Sequence, residues 1–224
     1  MRAWLTAIAF RAGRKPMPAL LSISAFGWLL MLAPAPGDGL PSAICGDATA
    51  AAFNRPSALV LQWIAMLIAM TPPLLDGPIQ RLRKGSLARR RAAMIACFVA
   101  GYALVWIFAG VALEGAVSAL ARAFDRWDFV IALALALGWR FAPGQEFAHA
   151  RAHAAPRLRV FGAAAFADAA RYGLQHGLWC LFACWPLMLA ALLAPIGRGP
   201  AMFAAAALMI AERYAPRADP IYAP

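Results

Sequence analysis

Three histidines occur in the 224-residue chain, and all of them fall between His149 and His176. His149 and His153 stand four residues apart, so in a helix both imidazoles leave one face and can chelate a single metal ion. A second series is longer: His176, Cys180, Cys184 and Met188 follow one another at four-residue steps. Each step turns a helix by about 400°, so the first three members stay within an arc of about 80°. An imidazole, two thiols and a thioether in one stripe form a soft donor set suited to Cu(I). Zinc would accept the thiolates and imidazole but makes little use of a thioether. Upstream, Met66 and Met70 share a helical face beside Trp63 and Thr71–Pro72–Pro73, and can add thioethers to a site. The candidate ligands are therefore His149, His153, His176, Cys180, Cys184, Met188, Met66 and Met70. Copper is the expected metal, with zinc as the alternative.

Each of these residues also has a plainer reading. Cys and Met are ordinary apolar fillers in membrane helices, and Gly173 and Gly177 can serve helix packing alone. HxxxH pairs often lie unused on a surface. A histidine at the membrane boundary is the hardest to treat as filler, because ionisable groups there are costly. Glu212, close to the end of the last apolar run, can pair with the neighbours of Arg213 or with the Arg cluster.

The elements that must position these residues follow from composition. The chain is 63% hydrophobic and 14% charged, with a mean hydropathy of +0.67. Soluble domains average about 45–50% apolar and about 25% charged residues. A soluble enzyme, a disordered chain and a disulfide-stapled module are excluded, and an integral membrane protein remains. The four cysteines form no disulfide framework: Cys45 lies in a loop, Cys97 in one apolar run, and Cys180 and Cys184 in another. The net charge of +11 would point to nucleic acid in a soluble protein. In a membrane protein it reads as the cytoplasmic bias of Lys and Arg, with no nucleic-acid partner.

Runs long enough to cross a hydrocarbon core are Met17–Pro34, Ala58–Leu75, Ala92–Leu113 and Gly173–Ala194, and the shorter Asp128–Ala142 and Pro200–Arg213 complete a set of six. The fold class is an all-α polytopic membrane bundle. Residues 17–213 form the bundle, 1–16 a cytoplasmic or interfacial segment and 214–224 a short tail. The early apolar stretch Ala3–Phe10 is broken by Arg11, Arg14 and Lys15, and reads as a surface helix rather than a cleavable signal. Seventeen Lys and Arg residues fall in the N-terminal segment, the second and fourth loops and the tail. The opposite loops hold four: Arg55, Arg122, Arg126 and Arg198. That asymmetry places both termini in the cytoplasm. The loop Arg81–Arg91 is a topological signal and a contact for anionic lipid. If Glu146–Ala155 is helical, His149 and His153 lie over the start of the fifth span.

The motif Trp63–Met66–Met70–Pro72, the stretch Gly173 to Met188, and Met209 with Glu212 resemble a bacterial family of predicted metal-binding integral membrane proteins. That group includes a membrane copper chaperone serving a tyrosinase. The resemblance covers residues 58–213. It implies metal handling at the bacterial cytoplasmic membrane, insertion of copper into a copper-dependent client, and no catalysis. The chain departs from the family pattern at His149 and His153, where the family has two cysteines, and at Ala183, where it often has another. Imidazoles keep the chelating geometry but make that site harder, shifting preference toward Cu(II) or Zn(II).

Two other classes compete with a copper chaperone. One is a non-catalytic accessory subunit of a larger membrane complex. The other is a membrane thiol–disulfide oxidoreductase using Cys180 and Cys184, which an apolar helix disfavours because thiolates are costly there. Copper content after purification separates the first from the rest. The topology has its own test: reporters fused after Asp47 and after Pro224 are expected on opposite sides of the membrane, and the same side for both would overturn the six-span assignment.

Overall fold

Long runs rich in Ala and Leu favour helices, which satisfy their backbone groups within the segment. The computed structural model describes residues 18–32, 56–153, 156, 158–159 and 161–214, and among them every regular element is helical. In chain order these are α1 (Pro18–Leu32), α2 (Pro56–Gly85), α3 (Arg91–Phe124), a 3-10 turn (Asp125–Trp127), α4 (Asp128–Arg140), α5 (Pro143–His153), α6 (Ala163–Leu192) and α7 (Arg198–Tyr214). The segments 1–16 and 215–224, and Cys45, lie outside the described residues.

Two of these helices, α3 and α6, are long and apolar enough to cross a membrane. With 34 and 30 residues they exceed the roughly 20 that a hydrocarbon core requires. The other four expected spans coincide with α1, α2, α4 and α7. Helices α1, α4 and α7 have 15, 13 and 17 residues, below that length. Helix α2 is long enough, but its second half carries Pro72, Pro73, Pro78, Asp76 and three basic residues. The helical class therefore stands, while two described helices rather than six meet the requirements of a span.

Several boundaries differ from the sequence expectation. Helix α2 continues ten residues past Leu75, so Arg81, Arg83 and Lys84 form its last turns and the connection to α3 is short. Pro73 is accommodated by a donor from another helix. Pro73 has no N–H to give the Ala69 carbonyl, and the Ser24 hydroxyl of α1 donates to that oxygen instead. Thr71 Oγ1 donates to the Leu67 carbonyl at 2.7 Å. Ser24 gets there because Gly27 lets α1 lie against Ala69: a Cβ on Gly27 would come within 2.8 Å of the Ala69 backbone.

The seam between α3 and α6 organises the rest. A Cβ on Gly173 would overlap the Phe98 carbonyl, and one on Gly101 would overlap the Ala170 carbonyl. Gly177 sits against Val105. Three glycines on two helices thus bring the backbones together, the close approach through which membrane helices gain dispersion contacts. On the other side of α3, the Trp63 indole packs over Gly110 and donates to the Trp106 carbonyl at 2.8 Å. Helix α7 is tied at both ends: Arg198 forms a two-pronged ion pair with Glu114 of α3, at 3.0 and 3.4 Å, and Glu212 pairs with Arg140 of α4.

Gly173→Ala is expected to destabilise the protein by about 1–3 kcal/mol, since the added methyl has no room against the Phe98 carbonyl. Gly115→Ala, where nothing lies within 4 Å, should leave stability at or above the parent's. Thermal unfolding in detergent, followed by tryptophan fluorescence, measures both.

Candidate metal centre

The glycine seam decides where the ligand stripe faces. With Gly173 and Gly177 pressed on α3, the residue between them, His176, is held against that helix and is 2% exposed. Its ring lies 6.0 Å from each of the Phe98 and Tyr102 rings and 6.1 Å from the Tyr172 ring, centroid to centroid. Nδ1 is 3.1 Å from the Ala152 carbonyl. A carbonyl only accepts, so this contact places a proton on Nδ1.

Ala152 belongs to α5, whose buried face is formed by Gln145, Ala148 and Ala152. The segment expected to be helical is so as far as His153, with residues 154–155 outside the described residues, and His149 and His153 stand four apart on it. The hydrogen bond from His176 therefore ties the ligand helix directly to the helix that carries the histidine pair.

The stripe continues inward. Cys180 is half-buried and accepts a hydrogen bond from the Tyr102 hydroxyl at 3.6 Å. Cys184 is buried and interacts with Cys180 through the thiols. Both cysteines line one apolar cavity of about 210 Å³, whose other walls include Trp139 and Arg140 of α4, Gln145 of α5, and Met209 and Glu212 of α7. The Arg140–Glu212 ion pair lies on the wall of this cavity.

The eight sequence candidates thus separate into groups. Cys180 and Cys184 come together on one cavity. His176, one turn earlier, borders a different opening, a groove that also includes Arg151, Tyr172, Gln175 and Trp179. Met66, Met70 and Met188 are buried in the apolar core and are not on the cavity wall. Among the described residues no three His, Cys, Asp or Glu side chains gather where one ion could bind them all. Met209, Arg140, Gln145 and Tyr102 were not among the candidates. One signal for the ion pair was present: opposite charges near the ends of two apolar runs seek each other in lipid, and Glu212 finds Arg140.

Fold and site together define an all-helical protein with two membrane-length helices and paired thiols on an apolar cavity. Residues 60–224 match the PpoB2 family model, described as a copper chaperone, and the chain belongs to that family. No curated protein and no solved structure matches the chain.

The ion pair at the cavity makes an accessible prediction. Arg140→Gln should speed maleimide labelling of Cys180 and Cys184 several-fold in the detergent-solubilised chain, with half-buried Cys97 as the internal reference. Arg198→Gln, at the other end of α7, should leave those rates unchanged. Equal rates in R140Q and the parent would show that the pair does not close the cavity.

Proposed function

We propose that the chain is an integral protein of the bacterial cytoplasmic membrane that carries Cu(I) on Cys180 and Cys184 and passes it to a copper-dependent client. Membership of a copper chaperone family supports both the metal and the chaperone role. The carrying observation is that two thiols one helical turn apart, on a buried helix, line the same apolar cavity. Thiolates select soft ions, and a mostly apolar wall disfavours hard cations that keep their hydration shell. Family membership offers no support for zinc, which the donor types alone left open.

Membrane embedding is supported by the face that α3 turns outward. Leu104, Ile107, Phe108 and Val111 are exposed there, the last two at 72% and 75%. A contiguous apolar face of this kind is costly in water and neutral in lipid. Together with the asymmetry of basic residues, it favours six spans with both termini cytoplasmic, in a bundle of residues 17–213. The short helices α1, α4 and α7 then cross with help from interfacial arginines and tryptophans.

Within this reading His149 and His153 capture the ion first, and His176 lies on its way to the thiols. The backbone link from Ala152 to His176 supports that order, because it places the capturing helix beside the start of the thiol stripe. Thiol–disulfide exchange is disfavoured: it needs a sulfur that a second protein can reach, and Cys184 is 6% exposed.

Anaerobic Cu(I) loading of the purified chain tests this function. The parent should hold about one Cu(I) per chain, and the double variant Cys180→Ser, Cys184→Ser should lose most of it, since a hydroxyl is a poor ligand for a soft ion. The double variant His149→Ala, His153→Ala should load more slowly to nearly the same final content. A parent chain that stays metal-free would overturn the copper reading and favour the accessory-subunit one.

A further inference from the structure

The cavity receives its donors from two helices. Helix α6 contributes Cys180 and Cys184, and α7 contributes Leu208, Met209 and Glu212. Met188 continues the cysteine stripe in sequence, yet it is 1% exposed and packed in the core below the cavity wall. Among the described methionines, Met209 is the one that lines the cavity. The thioether on the cavity wall is therefore supplied by α7 and not by the cysteines' own helix.

Charge argues for the same group. Cu(I) held by two thiolates carries one net negative charge, and Glu212 already places a carboxylate on the same cavity. A third anionic donor would add an unpaired charge to an apolar wall, which is expensive. A neutral thioether adds a soft donor at no such cost. Its position is fixed as well: Glu212 lies three residues beyond Met209, on the same side of α7, and its ion pair with Arg140 holds that turn of the helix against the cavity.

Resting on the copper reading of this cavity, we infer that Met209 is the third and exchangeable donor to a Cu(I) ion held by Cys180 and Cys184. Being the weakest and the only uncharged of the three, the thioether is the donor an incoming ligand from the client displaces first. The step is a ligand exchange. The Cu–S(Met) bond breaks as the new bond forms, and copper stays in the +1 state.

The test uses the full chain labelled with selenomethionine, loaded anaerobically with Cu(I) and read by X-ray absorption at the copper edge. The expected result is two sulfur neighbours and one selenium neighbour. Met209→Leu, which conserves volume, should lose the selenium neighbour and keep both sulfurs. It should also bind Cu(I) more weakly by about tenfold or more, the range that losing even an outer-shell partner costs a metal site. Met209→Ile replaces it if the Leu variant does not fold, and the parent's own copper–selenium signal is read on an unaltered chain. Two sulfurs with no selenium in the parent, or a selenium neighbour that persists without Met209, would overturn this inference while leaving the copper reading standing. Copper with no cysteine sulfur neighbours would instead overturn the reading on which it rests.

Discussion

The close contact of α3 with α6 sets nearly everything else. Where Gly101, Gly173 and Gly177 remove the side chains, two backbones meet and the rotation of α6 about its axis is decided. With that rotation set, His176 must enter the aromatic group of Phe98, Tyr102 and Tyr172, and Cys180 must come under the Tyr102 hydroxyl. Cys184 follows one turn later at the cavity. In lipid, hydrophobicity does not distinguish one helix face from another, so a steric device of this kind does what an apolar stripe does in a soluble bundle.

The cavity itself depends on residues far apart in the chain. Its thiols come from one helix, its ion pair joins Arg140 to Glu212, and its remaining walls come from α4, α5 and α7. The ion pair is partly buried and Arg140 retains exposure, so its contribution is positional more than energetic. Tethered to Glu114 at its first residue and to Arg140 near its last, α7 has its tilt and its register constrained together.

The helical class, the thiol stripe and the helix bearing His149 and His153 were all legible in sequence, because each depends on local periodicity. The end of α2 was not. The apolar run stops at Leu75, and nothing in it shows that the Ser24 hydroxyl on a separate helix serves the Ala69 carbonyl that Pro73 leaves open. Met188 joined the stripe through spacing along one helix, which a sequence shows, whereas Met209 entered through the resemblance alone, because the approach of a second helix has no local sign. The division of His176 from the thiols, one facing a groove and the others a cavity, depends on where α5 packs and has no local sign.

The Ser24–Ala69 hydrogen bond has a consequence for how the protein comes into being. The family match begins at residue 60, so α1 lies wholly outside the shared region, yet it supplies the donor that α2 lacks at Pro73. A buried carbonyl left without a donor costs about 1–3 kcal/mol, and Ala69 is fully buried. Helix α1 therefore acts as an internal template. It precedes the proline-bearing helix in the chain, so the order of synthesis matches the order in which the bonds are needed. A bundle begun at α2 would have to find that donor elsewhere, from a trapped water or a neighbouring chain.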